Sequence, residues 1–346
     1  RMTNETAMRQ IEYLDNALAN PHTSIDRRGL LMAIGNFDGV HLGHQAILRT
    51  LTEQARTQNL ISAVMVFEPQ PREWLDPDNA PARLTNFAEK SALLTACGVE
   101  RIIVARFDDA LRCLSAQAFA NQLAKLNVKG LLIGDDFRFG QDRTGDGEFL
   151  RAQGFAVTHL DTVCDDPATL ERVSSTRIRA YLQQGDLTAA ARLLGRDYTI
   201  TGTVLHGDKI GRTLNFPTAN IALARIRPPL HGIYGVDVWT TDGTPLTDLA
   251  QDGQAGVAGF APNSLFGAAS VGTRPTVQGE TWRLEVFFPQ FKGDLYGRNL
   301  SVRFLHFLHG ERNYNGLDAL KAGIKQDVVD LLAWRETQIA SMQPKH

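Results

Sequence analysis

Between residues 30 and 134, short apolar runs alternate with longer stretches whose apolar positions recur every three to four residues. The runs "LLMAIGNF", "SAVMVF", "RIIVARF" and "GLLIGDD" are strand-like, while "GHQAILRTLTEQARTQNL" and "SAQAFANQLAKLN" carry helical spacing. This alternation predicts an α/β domain built on a parallel sheet with crossover helices. Such open sheets bind ligands beyond the carboxyl ends of their strands, which is where the glycine- and charge-rich segments 35–41 and 134–145 fall.

The texture changes near residue 186. "SSTRIRAYLQQGDLTAAARLLG" reads as two short helices. It is followed by the strand-like "YTITGTVL", "GIYGVDVWT", "GAASVGTRP", "WRLEVFFP" and "LSVRFLHFL", separated by Gly, Pro and Asn. These runs predict a small antiparallel barrel. A final helical run places Leu317, Leu320, Ile324, Val328, Leu331 and Leu332 on a face that packs against it. The expected organisation is an N-terminal extension over 1–27, an α/β domain over 28–186 and a barrel domain over 187–340, with 241–264 a long loop in the barrel half.

Composition narrows the function classes. A chain of 346 residues has room for two cores, and a net charge of −2 gives none of the positive field on which non-specific nucleic-acid binding depends. Cys97, Cys113 and Cys164 are scattered and outside CxxC spacing, so they read as reduced thiols of a cytoplasmic protein. The sequence shows no signal-peptide pattern, and no apolar run approaches the ~18 residues of a membrane span.

Three segments of the first half carry candidate chemistry. In "GNFDGVHLGHQ", Gly39 permits a tight turn and Gly43 leaves room at a helix start. His41 and His44 there read as surface residues, metal ligands or donors to a phosphate. "RVSSTRIR" joins Ser175 and Thr176 to Arg172 and Arg179, a set suited to a triphosphate or to an ordinary capped helix. "GDDFRFGQDRTGD" interleaves aromatic and charged residues after a strand. Together the three favour phosphate.

With "FEPQPREW", these motifs resemble the adenylyltransferase half of the bacterial bifunctional riboflavin kinase/FMN adenylyltransferases, the FAD synthetase family. The resemblance implies a Rossmann-like nucleotidyltransferase domain that transfers AMP from ATP to FMN, giving FAD and pyrophosphate. It implies that His41 and His44 stabilise the α-phosphate and that Asn36 and Asp38 order the turn. Gly35, Phe37, Gly39, Asp136, Arg172, Ser175, Thr176 and Arg179 would complete the nucleotide site. Phe67, Pro69, Pro71, Phe137 and Phe139 would border the flavin.

In the second half, "GTVLHGDKIGRTLNFPTANI" sets Gly202, Gly207 and Gly211 around a hairpin, with Thr218 and Asn220 offering oxygens to a hard cation such as Mg²⁺. A glycine-rich hairpin before a proline turn is the plainer reading. Glu285 is an acid in the apolar strand "WRLEVFFP", so it must find a partner or face a site. With "GIYGV", "SVGTRPT" and "DLYG", these segments resemble the riboflavin kinase module of the same family. The resemblance covers roughly residues 28–338. It implies Mg²⁺ at Thr218 and Asn220, nucleotide contacts from Gly207, Gly211, Arg212 and Pro217, and Glu285 beside the flavin as general base. Riboflavin, ATP and FMN would be the small-molecule partners.

The chain departs from the family pattern at Asn215, at Phe287 where the family has His, and at "HGERNY" (309–314), where it has an Arg-containing stretch. These departures support an alternative in which only the adenylyltransferase is active and the barrel is a flavin-binding regulatory module. A third reading is a non-catalytic flavin or nucleotide sensor.

Overall fold

The computed structural model describes residues 11–20, 27–134, 136–160, 165–206 and 217–343. Gly207, Gly211, Arg212 and Asn215 of the glycine-rich segment lie outside the described residues, as does Cys164. The chain forms two compact units, Arg1–Pro81 with Thr85–Ser175 and Ala82–Leu84 with Thr176–His346.

In the first unit, strands β1 (Ile11–Tyr13), β2 (Leu30–Ile34), β3 (Ile61–Phe67), β4 (Arg101–Ala105), β5 (Val128–Gly134) and β6 (Ala156–Leu160) form one sheet in the order β1-β4-β3-β2-β5-β6. Every pairing is parallel. Helices α1 (Leu14–Ala19), α2 (Leu42–Thr57), α3 (Pro71–Leu75), α4 (Phe87–Ala96), α5 (Asp109–Arg112), α6 (Ala116–Lys125) and α7 (Gly147–Ala152) connect the strands. Strand alternation sends Leu30, Met32 and Ile34 to a core with Phe119, Leu123 and Leu150, while Leu31 and Ala33 meet Leu48, Leu51 and Leu94 on the other face. Burial on both faces is why these strands read as unbroken apolar runs. Chain order reverses between β2 and β5, so the segments after Ile34 and Gly134 flank the switch point of the sheet. Residues 11–19, within the stretch read as an extension, supply the edge strand and a helix of this sheet.

The second unit is a closed antiparallel barrel in the order β11-β12-β8-β7-β14-β9. Its strands are β7 (Thr199–Leu205), β8 (Thr218–Ile221), β9 (Gly232–Thr240), β11 (Leu265–Thr276), β12 (Gly279–Phe287) and β14 (Asn299–His309), preceded by helices α8 (Ser175–Gln183) and α9 (Leu187–Leu194). The segment 241–264, read as a loop, contains β10 (Ala250–Ala255), which pairs with β13 (Phe291–Gly293) outside the barrel. Its polar, exposed residues hide this strand from a search for apolar alternation. The segment Ala82–Leu84 joins the unit through hydrogen bonds to the Leu84 carbonyl from Tyr198 Oη (2.6 Å) and Arg225 Nη1 (3.0 Å).

The last helix, α10 (Leu317–Met342), buries Leu331 and sets Trp334 parallel to His306 at 4.6 Å. Leu317, expected on the packed face, is 59% exposed at the first turn of the helix. Inside the barrel, Tyr234 is fully buried against Phe304 and Phe307, and its hydroxyl accepts from the His231 amide (3.1 Å) and donates to the His231 carbonyl (3.2 Å). Burial pushes this phenol up to about 12, so it stays a donor at neutral pH.

Two stability outcomes follow from the barrel core. Tyr234→Phe leaves the turn at His231 without its partner and costs about 1–3 kcal/mol in urea unfolding. Burial also holds the His306 imidazole below its ordinary range, because the charged ring loses hydration. A depressed histidine favours folding above the unfolded value of about 6.5, and this contribution is lost as pH falls through the folded value. Barrel unfolding, followed by tryptophan fluorescence at pH 7.5 and pH 5, therefore loses less stability on acidification in His306→Gln than in the unsubstituted chain.

Candidate functional site

The turn after β2 is tightly determined. Phe37, Gly39 and Val40 all have positive φ (50°, 84° and 40°), which glycine adopts freely and the other two do not. The strain is offset by burial of the Phe37 and Val40 side chains in the core. It is also held by Asp38, a buried carboxylate whose Oδ1 accepts from the Thr85 amide (3.0 Å) and hydroxyl (3.3 Å). Thr85 Oγ1 in turn accepts from the Gly39 amide (3.0 Å), and the Asp38 carbonyl accepts from Ser175 Oγ (2.8 Å). The Asp38 carboxylate is thus directed at Thr85 and held within the turn. Ser175, expected on a phosphate, has its hydroxyl on the Asp38 carbonyl.

His41 is the N-cap of α2, and its Nδ1 accepts from the His44 amide at 3.3 Å. That bond places the proton of the neutral ring on Nε2, making Nε2–H a donor. The His41 and His44 rings stack at 3.6 Å and 16°, an arrangement in which their lone pairs do not converge on one metal ion. No cluster of three or more His, Cys, Asp or Glu suited to a metal occurs among the described residues. Gly43 leaves room for the His41 ring, since a Cβ there would lie 2.9 Å from His41 Cε1 and push the ring aside.

A cavity of ≈ 310 Å³ in the barrel unit and one of ≈ 640 Å³ in the sheet unit accompany these motifs. The larger is lined by Gly35, Asn36, Phe67, Pro71, Asp136, Phe137 and Phe139, seven of the expected residues. "DFRFGQDRTGD" folds back on itself there through paired amide–carbonyl bonds between Phe139 and Gly145 (3.1 and 2.8 Å). Gly140 (φ 76°) lets the loop pass Ala116, whose backbone a Cβ would meet at 2.7 Å. Pro69 and Arg172 are exposed and outside the lining, and the buried His41 and half-buried His44 are outside it as well. Thr176 and Arg179 belong to the second unit, where Arg179 Nε donates to the Ala82 carbonyl (2.6 Å). Residues not foreseen at this cavity include Phe107, Arg112, Arg138 and Arg143.

The second cavity follows from strand register. Leu284, Val286, Ile221 and Val271 point into the barrel and are buried. Their neighbours must then point outward, and Glu285 pairs with Asn220 and Ser270, and Phe287 with Thr218. Thr218, Ser270, Glu285 and Phe287 line the cavity on this outer face, closed by 309–314 and by Leu320, Ile324, Asp327 and Val328 of α10. Pro217 is exposed just before β8. His309 has Nε2 on Asp327 Oδ1 (2.7 Å) and Nδ1 beside the Gly310 carbonyl, pinning the wall to α10. Glu311 pairs with His231 at 2.8 Å across the side-chain-free Gly272. Neither these links nor Arg274, 3.6 Å from Glu285, was singled out from the sequence. Only the strand pairing, which aligns "SVGTRPT" with "WRLEVF", would have flagged Arg274.

Both units match known protein families. The family profile described as FAD synthetase matches residues 23–177, and that described as riboflavin kinase matches 194–334. The chain is 41% identical over 307 residues to the bifunctional riboflavin kinase/FMN adenylyltransferase of Escherichia coli K12, covering 87% of this chain and 91% of that protein. It is 44% identical to the protein of the same description from Pseudomonas fluorescens, covering 88% and 92%. A crystal structure from Streptococcus pneumoniae, described as a macrolide-efflux protein, superimposes with a TM-score of 0.65 at 29% identity, covering 89% of this chain and 95% of that one. No described helix here is long and apolar enough to cross a membrane. Both profiles match in chain order on the two units, and the chain belongs to the bifunctional riboflavin kinase/FMN adenylyltransferase family.

Proposed function

We propose that the barrel unit phosphorylates riboflavin to FMN and that the sheet unit transfers AMP from ATP to FMN, giving FAD and pyrophosphate. The observation that carries the assignment of roles is the register that puts Glu285, Asn220 and Thr218 on one outer barrel face, where Glu285 and Thr218 line a cavity roomy enough for part of a flavin and Asn220 lies beside it on β8, outside the lining.

In the kinase step Glu285 takes the proton from the riboflavin 5′-hydroxyl as its oxygen bonds to the γ-phosphorus, and ADP leaves with the electron pair of the broken P–O bond. Thr218 and Asn220 stand two residues apart on β8, and so on one face, which fits a Mg²⁺ held by two side-chain oxygens, nucleotide phosphates and water better than a closed protein cage. The ion would neutralise phosphate charge. Phe287 and His309, which prompted the adenylyltransferase-only alternative, line the same cavity as Glu285.

In the adenylyl step a phosphate oxygen of FMN bonds to the α-phosphorus in line, and pyrophosphate leaves with the electron pair of the broken bond from that phosphorus to the bridging oxygen. The FMN phosphate is already anionic, so neither a base nor a protein nucleophile is needed. His41 donates through Nε2–H to charge developing on the α-phosphate, with the stacked His44 beside it. The aromatic cavity at Phe67, Phe137 and Phe139 holds the isoalloxazine. Arg172 serves the ATP phosphates.

The purified chain, given riboflavin, ATP and Mg²⁺, should yield FMN and then FAD on chromatographic separation; FAD from added FMN but no product from riboflavin would reduce the reading to an adenylyltransferase. Glu285→Gln lowers FMN formation by about 10²–10⁴-fold and leaves FMN-to-FAD conversion intact. His41→Ala with His44→Ala does the reverse. Gly43→Ala displaces the His41 ring and lowers FAD formation by about tenfold or more with the barrel reaction unchanged, as initial rates of the two steps will check.

A further inference from the structure

Glu285 has a single charge partner among the described residues. Arg274 Nη2 lies 3.6 Å from Glu285 Oε2, and no described donor makes a hydrogen bond to that carboxylate. The pair is loose. A bidentate arginine–carboxylate fork would bring two nitrogens to ~2.8 Å, so here the guanidinium is close enough to feel the charge without being locked to it. Its remaining contact is equally slight, from Nη1 to the Thr273 carbonyl at 3.5 Å. The side chain is 45% exposed, lines the barrel cavity, and rises from the same outward face as Ser270, the register partner of Glu285. Several N–H donors of a fixed cation are therefore available at the reacting end of the cavity.

We propose that Arg274 changes partner during phosphoryl transfer, holding Glu285 in the empty cavity and taking the new phosphate monoester once Glu285 has accepted the hydroxyl proton. The inference rests on the kinase reading above. Before transfer the cavity holds a carboxylate and a guanidinium. After it, the O–P bond to the 5′ oxygen has formed, the bond to ADP has broken, and the proton resides on a neutral Glu285. The charge that attracted Arg274 is then gone, while a phosphate bearing nearly two negative charges stands on the substrate. A planar guanidinium suits that phosphate in two-point geometry, which an ammonium cannot reproduce.

The test is full-length R274Q and R274K, followed by the initial rate of ADP release with riboflavin and ATP, which the kinase step alone produces. R274Q should lower kcat by about 10–100-fold, keep the KM for riboflavin within about threefold, and weaken inhibition by added FMN about tenfold or more. R274K should restore part of the rate and little of the FMN inhibition. An unchanged unfolding midpoint by tryptophan fluorescence, to which Trp239, Trp282 and Trp334 of the barrel unit contribute, reports that the barrel is folded. Unchanged FMN inhibition in R274Q overturns the proposal. Parallel weakening of riboflavin and FMN also overturns it, because a residue that only shapes the cavity would affect both flavins alike. If the unsubstituted chain releases no ADP with riboflavin while converting FMN to FAD, the kinase reading itself fails and takes this inference with it.

Discussion

The two-residue period of the strands governs where chemistry can reside in both units. In the barrel one side of each strand is committed to the core by Leu284, Val286, Ile221 and Val271, so Glu285, Asn220 and Thr218 are driven together on the other. A one-residue slip of β8 against β12 would expose the apolar set and bury the polar one, so the energy of the core enforces the site. The parallel sheet has no such free face, because both of its sides are packed. Its functional groups are displaced to the segments beyond the strand ends, and the order β3-β2-β5 opens a crevice between the two that matter.

That displacement carries a cost, visible in the turn at 37–40. Positive φ at Phe37 and Val40 is unfavourable by an estimated 1–2 kcal/mol for each residue. Burial of both side chains opposes it, at about 1.5–3 kcal/mol each. Asp38 supplies direction: its buried carboxylate must be hydrogen-bonded, and Thr85 satisfies it from both amide and hydroxyl while bonding back to Gly39. The turn is therefore fixed from below by apolar packing and from one side by a polar clasp. His41 then enters α2 with its ring already oriented by the His44 amide.

Much of this was legible in the sequence. The parallel-sheet strands and the barrel strands appear as apolar runs because burial imposes periods that a single sequence displays. Elements without such a period were not visible: β1, with its edge residues partly exposed, and β10, whose side chains are almost all polar or absent. The segment Ala82–Leu84 could not be assigned to the second unit, because its attachment is through backbone carbonyls that have no residue code. Candidate site residues emerged where a motif brings them close in sequence, as with His41 and His44 or Thr218 and Asn220. Arg274, the His309–Asp327 link and the His231–Glu311 pair depend on side chains brought together by strand pairing or helix docking, information that resides in the fold.

The two proposed reactions also explain why the chain carries different side chains at its two sites. Phosphorylating riboflavin requires an alcohol to lose a proton as it attacks, and the Glu285 carboxylate, set between the buried Leu284 and Val286, is a group able to accept it. The next step starts from a phosphate that is already a nucleophilic anion, so a base would have nothing to remove. Donors are what that site needs, and His41, with its acceptor nitrogen occupied by the His44 amide, presents one. Acid–base chemistry at Glu285 and hydrogen-bond donation at His41 are thus separate demands of consecutive steps, and neither residue could take the place of the other.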